Sequence, residues 1–242
     1  MFISKSKDAK ALGEAAARLT AEKINAAIKA QGSARIILST GASQFETLEA
    51  LVRADIDWSC VEMFHLDEYV GLPETHPASF RKYLKERFVS RIRLKKAYFV
   101  DGDHPEETIA ELTREITSAP IDVALIGIGE NAHIAFNDPP ADFDTRESYI
   151  IVNLDEKCRM QQVGEGWFDD FDAVPKQAIS MTPYRIMQSK TIISAVPHKV
   201  KADAIKRLMD NDTTNLVPAT LLKTHSDMHL FVDENSAGDT IK

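Results

Sequence analysis

Cysteine is scarce in this chain of 242 residues. There are two, Cys60 and Cys158, and they form no CxxC pair. That excludes a disulfide framework of the secreted type and fits reduced thiols in the cytoplasm. Long apolar runs are missing too. None approaches the roughly 18 residues that a membrane-spanning helix requires. The first residues, MFISKSKDAKALGEAAARL, lack the apolar core of a secretion signal. The expected location is therefore cytoplasmic, with no membrane partner. Basic charge is in deficit: 29 Lys and Arg stand against 37 Asp and Glu, a net charge of -8. The basic residues are scattered, which argues against a nucleic-acid partner. His65, His76, His104 and His133 could in principle gather around a metal. No HxH or HExxH spacing occurs, so no metal is expected.

What is present is an alternation of strand and helix signals. Residues 7–30 read as an amphipathic helix rich in Ala, Lys and Glu and ended by Gly32. Ala34–Leu38 (ARIIL) is a short buried strand, followed by a small-residue turn and a helical pattern through Arg53. Val61–Leu66, Ala97–Val100 and Ile121–Ile126 read as further strands. Helices are expected near 77–90, 105–118 and 198–210, and strand-like runs at 149–153, 191–196 and Leu230–Val232. This order predicts an α/β fold, a three-layer αβα Rossmann-like arrangement with a parallel sheet covered on both faces. No repeat or linker divides the chain, so one domain over 1–242 is expected. The stretch 138–175 is irregular, as a lid or binding loop would be, or a plain surface excursion.

Three segments fall where such sheets bind ligands, beyond the carboxyl ends of strands. Thr40-Gly41-Ala42-Ser43 links a strand to a helix. Free N–H groups there, with two hydroxyls, suit an anion such as phosphate, although a plain turn with Ser43 as helix cap fits the same residues. Asp67-Glu68 offers a general base or a solvated acidic turn. Adjacent strand residues face opposite ways, so only one would enter a site. Gly127-Ile128-Gly129 leads to His133, with Asp138 five residues on, a proton carrier with a carboxylate that can fix its tautomer. Arg159 and Lys199 are candidate cations for a phosphate, or surface charges.

Together these segments resemble the glucosamine-6-phosphate deaminase family, which shares its fold with 6-phosphogluconolactonases and, more broadly, with ribose-5-phosphate isomerase-like proteins. The resemblance is carried by Phe64-His65-Leu66-Asp67-Glu68-Tyr69-Val70-Gly71-Leu72-Pro73, with His76-Pro77 and Ser79, and by Gly127-Ile128-Gly129-Glu130-Asn131-Ala132-His133-Ile134-Ala135-Phe136-Asn137. It implies a hydrolytic deamination coupled to aldose–ketose isomerisation of a small sugar phosphate, without cofactor or metal. A homo-oligomer is compatible with it. By resemblance Asp67 is the base moving a proton between C2 and C1, and His133 opens the sugar ring with Asp138 and Asn131 in its relay. The same resemblance implies that Thr40, Gly41, Ala42, Ser43, Lys199 and Arg159 hold the phosphate and that about 155–172 forms the lid.

The chain departs from the family at several of these points. Asn131-Ala132-His133 stands for the usual Asp-Gly-His, Asp138 for a glutamate, Ala42 for a glycine and Gln44 for a proline. The PPADFDTRES stretch does not match the effector-binding segment of allosteric members, so no aminosugar activation is expected. Three alternatives stay open on the residues alone: a galactosamine-6-phosphate isomerase/deaminase, a 6-phosphogluconolactonase-like hydrolase, and a non-catalytic sugar-phosphate-binding protein.

Overall fold

The computed structural model describes residues 1–164 and 166–241. In chain order the elements are β1 (Phe2–Ser6), α1 (Ala9–Gln31), β2 (Ala34–Leu38), α2 (Phe45–Val52), β3 (Val61–His65), β4 (Asp67–Tyr69), α3 (Phe80–Arg87), β5 (Lys96–Tyr98), α4 (Pro105–Thr117), β6 (Val123–Leu125), β7 (Tyr149–Asn153), α5 (Glu156–Gly164), β8 (Gln177–Met181), α6 (Pro183–Ile186), β9 (Thr191–Val196), α7 (Ala202–Asp210), β10 (Met228–Asp233) and α8 (Glu234–Ala237). Local chemistry sets many of the ends. Asp8 caps α1 by accepting the Ala11 N–H at 2.8 Å, and Gly32, at φ 78°, closes it by donating to the Ile28 carbonyl. Among the described residues no helix is long and apolar enough to cross a membrane.

Seven parallel strands form the main sheet, in the order β1-β10-β9-β6-β2-β3-β5. Alternate residues of each strand feed two separate cores. Ile36, Leu38, Met63 and Leu125 pack under α1, α2 and α3 through Leu12, Ile24, Leu51 and Leu84. Ile37, Phe64, Ala124 and Leu230 pack on the other face under α4, α7 and α8 through Leu112, Ile205 and Ala237. Both faces are buried, which is why the strands read as continuous apolar runs. The sheet with helices on both faces is the α/β architecture expected from the sequence.

Three strands were not among those expected. β1 pairs with β10 at the sheet edge, from Phe2 opposite His229 to Ser6 opposite Asp233. Its short, largely exposed segment carries little apolar patterning. β4 and β8 pair antiparallel, and β8 with β7, in a separate three-stranded sheet. β4 lies where a polar turn was expected. Its Asp-Glu-Tyr composition disfavours a strand, and pairing with Ala178–Ser180 overrides that preference.

After β2 the chain steps outward to β3 and β5, then returns to the other side of β2 at β6. The reversal between β2 and β6 is the topological switch point, where a crevice opens beyond the strand ends. The Ser39 N–H donates to the Leu125 carbonyl at 3.1 Å and fixes the two strand exits side by side.

Helices α1 and α2 meet at Gly13. A Cβ on Gly13 would lie 2.6 Å from the Glu46 carbonyl carbon. Gly13→Ala would gain about 1 kcal/mol of helix propensity, but the backbone contact cannot yield without separating the helices. We predict a net loss of about 1–3 kcal/mol in a denaturant titration. A variant as stable as the parent would show that the helices are not so closely packed.

Candidate active site

At the switch point lies a cleft of about 410 Å³. Its floor and walls come from the turn 39–43 after β2, Leu66 and Asp67 after β3, residues 127–130 and His133 after β6, and His198, Val200 and Lys201 after β9. Pro77 to Phe80 and Tyr83 close another side, and Cys158, Gln162 and Trp167 reach it from the 155–172 segment.

The turn 40–43 is built around Gly41, which adopts φ 103°, and a single 3-10 turn, Ala42–Gln44, opens α2. Among the described residues no side chain caps this start. Ser43, a candidate cap, instead accepts a bond from the Gln44 amide at 3.0 Å. Gln44 also donates to the Ala195 carbonyl at 3.1 Å and ties the turn to β9. The Tyr83 hydroxyl donates to the Gly41 carbonyl at 2.8 Å, and Tyr83 stacks on Phe45. Burial pushes its phenol well above the usual range, so it stays a neutral donor. An uncapped helix start lined by Thr40 and Ser43 is suited to an anion.

Asp67 and Glu68 are both buried, at 6% and 0% exposure, so the acidic pair is no solvated turn. They diverge as neighbours on a strand do. Glu68 turns away from the cleft and accepts the N–H groups of Phe80 at 3.2 Å and Arg81 at 2.8 Å, and the Ser79 hydroxyl at 2.9 Å. It serves as an acidic cap for α3. Asp67 lines the cleft. Burial, and then the neighbouring Glu68 charge, raise its carboxyl well above the usual carboxylate range. A carboxylate that holds its proton so firmly is a stronger base once ionised.

His133 sits beyond β6 with its ring over Gly129; a Cβ on Gly129 would lie 2.2 Å from His133 Nε2. Its Nδ1 lies 3.0 Å from Asp138 Oδ1, a close polar contact rather than a well-aligned hydrogen bond. The Asn131 amide bridges the two residues. Its Nδ2 donates to the same Asp138 oxygen at 3.0 Å, and its Oδ1 accepts the His133 N–H at 3.1 Å. Burial opposes ionisation of Asp138. The His133 ring, the Asn131 amide and the Cys158 thiol outweigh it and hold the carboxyl below its usual value. An aspartate at 131 would put two carboxylates in contact, so an amide suits an ionised Asp138. The segment is further fixed by Arg207, which donates to the Asn131 carbonyl at 2.9 Å.

Two expected phosphate ligands do not reach the cleft. Arg159 is 7% exposed and directs Nη2 to the carbonyls of Phe171 (2.7 Å) and Val174 (3.0 Å), with its guanidinium over the Phe171 ring. It staples the 156–174 segment together. Lys199 is exposed and is not part of the lining; Lys201, two residues on and at the threshold of α7, is. The spacing along a 3-10 turn decides this: positions two apart on such a turn point in different directions. Lys201 ends a 3-10 turn that opens α7, as Gln44 ends the one that opens α2.

The 155–172 segment carries α5 and roofs the cleft; its Glu165 lies outside the described residues. Phe168 packs edge-on to Tyr69 and stacks on His76, and the Tyr69 hydroxyl donates to Gln162 at 2.9 Å. Among the described residues no group of three His, Cys, Asp or Glu side chains is arranged to hold a metal.

Comparison with known proteins agrees with this geometry. The family model of glucosamine-6-phosphate isomerases/6-phosphogluconolactonase matches residues 7–231. The glucosamine-6-phosphate deaminase of Oenococcus oeni is 34% identical over 209 residues, covering 86% of this chain and 87% of that protein. A glucosamine-6-phosphate deaminase of Streptococcus suis is 34% identical over 226 residues, 91% of each. The structure of a monomeric glucosamine-6-phosphate deaminase has a TM-score of 0.88 at 30% identity, covering 98% of this chain and 99% of that one. A 6-phosphogluconolactonase from Thermotoga maritima has a TM-score of 0.79 at 16% identity over 96% of this chain and 99% of that one, a likeness of fold alone. The switch-point cleft, the order of its residues and a match over nearly the whole length lead to one conclusion: the chain belongs to the glucosamine-6-phosphate isomerase/6-phosphogluconolactonase family.

Proposed function

We propose that the protein is an aminosugar-phosphate isomerase and deaminase, converting glucosamine-6-phosphate and water to fructose-6-phosphate and ammonia. The observation that carries this reading is Asp67, a buried carboxyl of raised proton affinity, in one cleft with the His133–Asp138 pair. In this reading the phosphoryl group lies at the 40–43 turn and Lys201. His133 passes the anomeric hydroxyl proton to the ring oxygen, and the pyranose opens to the aldehyde. Asp67 takes the C2 proton while the aldehyde oxygen gains one, giving an enolamine. Asp67 returns its proton to C1, which leaves an imine at C2. Water adds to that carbon, ammonia departs, and the ketone remains. Asp138 fixes the His133 tautomer, and Asn131 holds Asp138 in place. The 155–172 segment acts as the lid that excludes bulk water, within one domain. The location proposed is the cytoplasm, where both thiols stay reduced.

Ammonia release from glucosamine-6-phosphate, galactosamine-6-phosphate and their N-acetyl forms, beside hydrolysis of 6-phosphogluconolactone, tests this reading. Glucosamine-6-phosphate is the expected ammonia source. No ammonia from any aminosugar phosphate would overturn the proposal. Lys201→Ala is expected to raise KM by about tenfold or more, because a charge-assisted contact to phosphate is lost.

Asp67→Asn should lose at least about 10²-fold in kcat. It should also melt higher than the parent at neutral pH. Between the ordinary carboxylate value of about 3.9 and the raised value of the folded state, the folded chain keeps a proton on Asp67 that the unfolded chain has released, so Asp67 lowers stability as pH rises through that window and the loss persists above it. The gain in melting temperature should vanish below that window. In the parent, activity should fall with acidification at a pH above the ordinary carboxylate range. A fully active Asp67→Asn enzyme would remove Asp67 from the mechanism.

A further inference from the structure

His198 stands at the anion end of the cleft in a backbone conformation that side chains avoid. Its φ is 79° and its ψ 144°, next to a region that is essentially confined to glycine. The fold holds it there from both sides. Its N–H donates to Asp233 Oδ2 at 3.1 Å, and its carbonyl accepts the Lys201 N–H at 3.0 Å. Asp233 is itself 1% exposed and pinned through its other oxygen to the Ser236 N–H at 2.7 Å. A glycine would occupy this position without strain. The strained residue is an imidazole that lines the same cleft as Lys201 and the 40–43 turn. Arg159, meanwhile, is committed to the carbonyls of Phe171 and Val174 and leaves this end of the cleft to other donors.

We propose that His198 is a substrate-binding residue that donates a ring N–H to the phosphoryl group beside Lys201. The inference rests on the anion site of the proposed function. An imidazole carries one N–H donor even when neutral, so the contact needs no change in protonation. Backbone strain concentrated at a ligand site is retained where the fixed side chain serves binding. The same pinning that costs stability sets the ring against the cleft before substrate arrives.

His198→Gly removes both the ring and the strain, and His198→Asn keeps a short donor on a residue that tolerates positive φ better than most. For His198→Gly, KM for glucosamine-6-phosphate should rise about tenfold, with kcat within about twofold and a melting temperature equal to or above the parent. His198→Asn should fall between. Inorganic phosphate, titrated by calorimetry, should bind more weakly to His198→Gly by a similar factor, and this measurement does not depend on turnover. An unchanged KM and phosphate affinity in His198→Gly would overturn the proposal, as would a loss of melting temperature with unchanged phosphate affinity. A parent that releases no ammonia, yet binds phosphate in a His198-dependent way, would overturn the proposed function and keep the role of His198.

Discussion

Glu68 is wholly out of water, and four hydrogen bonds make that tolerable: its own neighbour Tyr69 N–H, the Ser79 hydroxyl, and the Phe80 and Arg81 N–H groups. An unpaired buried carboxylate would cost several kcal/mol, so this set of donors dictates where β4 and α3 meet. Arg81 completes the joint. Its guanidinium reaches Asp101 at 2.5 Å and the Leu72 carbonyl at 3.0 Å. Once Glu68 is fixed toward α3, the alternation of the strand leaves Asp67 facing the cleft. The base of the proposed reaction is thus aimed by a residue that never touches the cleft.

The backbone breaks its own rules in the same place. Among the described residues three other than glycine have positive φ: Ala132 at 66°, Ala135 at 52° and His198 at 79°. Ala132 directly precedes His133, and the other two line the cleft. Ala132 is held through its carbonyl, which accepts the Ala219 N–H at 2.9 Å. Elsewhere ordinary chemistry prevails in the side-chain caps of α1, α3 and α8 and in the apolar strands β2 and β9. Local strain confined to a binding region, supported by well-satisfied structure around it, is the pattern expected of a functional site.

The roof of the cleft has its own adhesive. Tyr69, Phe80, Phe136 and Phe168 form a tilted and stacked aromatic cluster that joins β4, α3, the segment after His133 and the 155–172 segment. Cys158 connects that roof to the carboxylate of Asp138. The position of the roof and the state of the His133 relay are therefore linked by direct contact.

Strong local signals were legible in the sequence. ARIIL between Gly32 and a small-residue turn could only be a short buried strand, and its limits, Ala34–Leu38, are those observed. The exclusive orientation of Asp67 and Glu68 followed from strand geometry, although only the family resemblance singled out Asp67. His133 and Asp138 were readable as a pair from spacing. Where Arg159 and Lys199 point was not legible, because a long side chain can reach several ways and only its neighbours decide. For Arg159 the deciding neighbours are carbonyls up to 15 residues away. For the lysines it is the pitch of one 3-10 turn. The strand at β4 was hidden because its partners, Ala178–Ser180 of β8, far along the chain, supply the ladder that its own composition does not favour. The sequence by itself determined the alternating elements, the two-sided burial of the sheet and the residue types needed for proton transfer, since these depend on periodicity and nearest neighbours. The tertiary structure alone decided which carboxylate faces the cleft, which lysine lines it and why a histidine sits in a glycine conformation, since each depends on atoms that the fold brings together from distant parts of the chain.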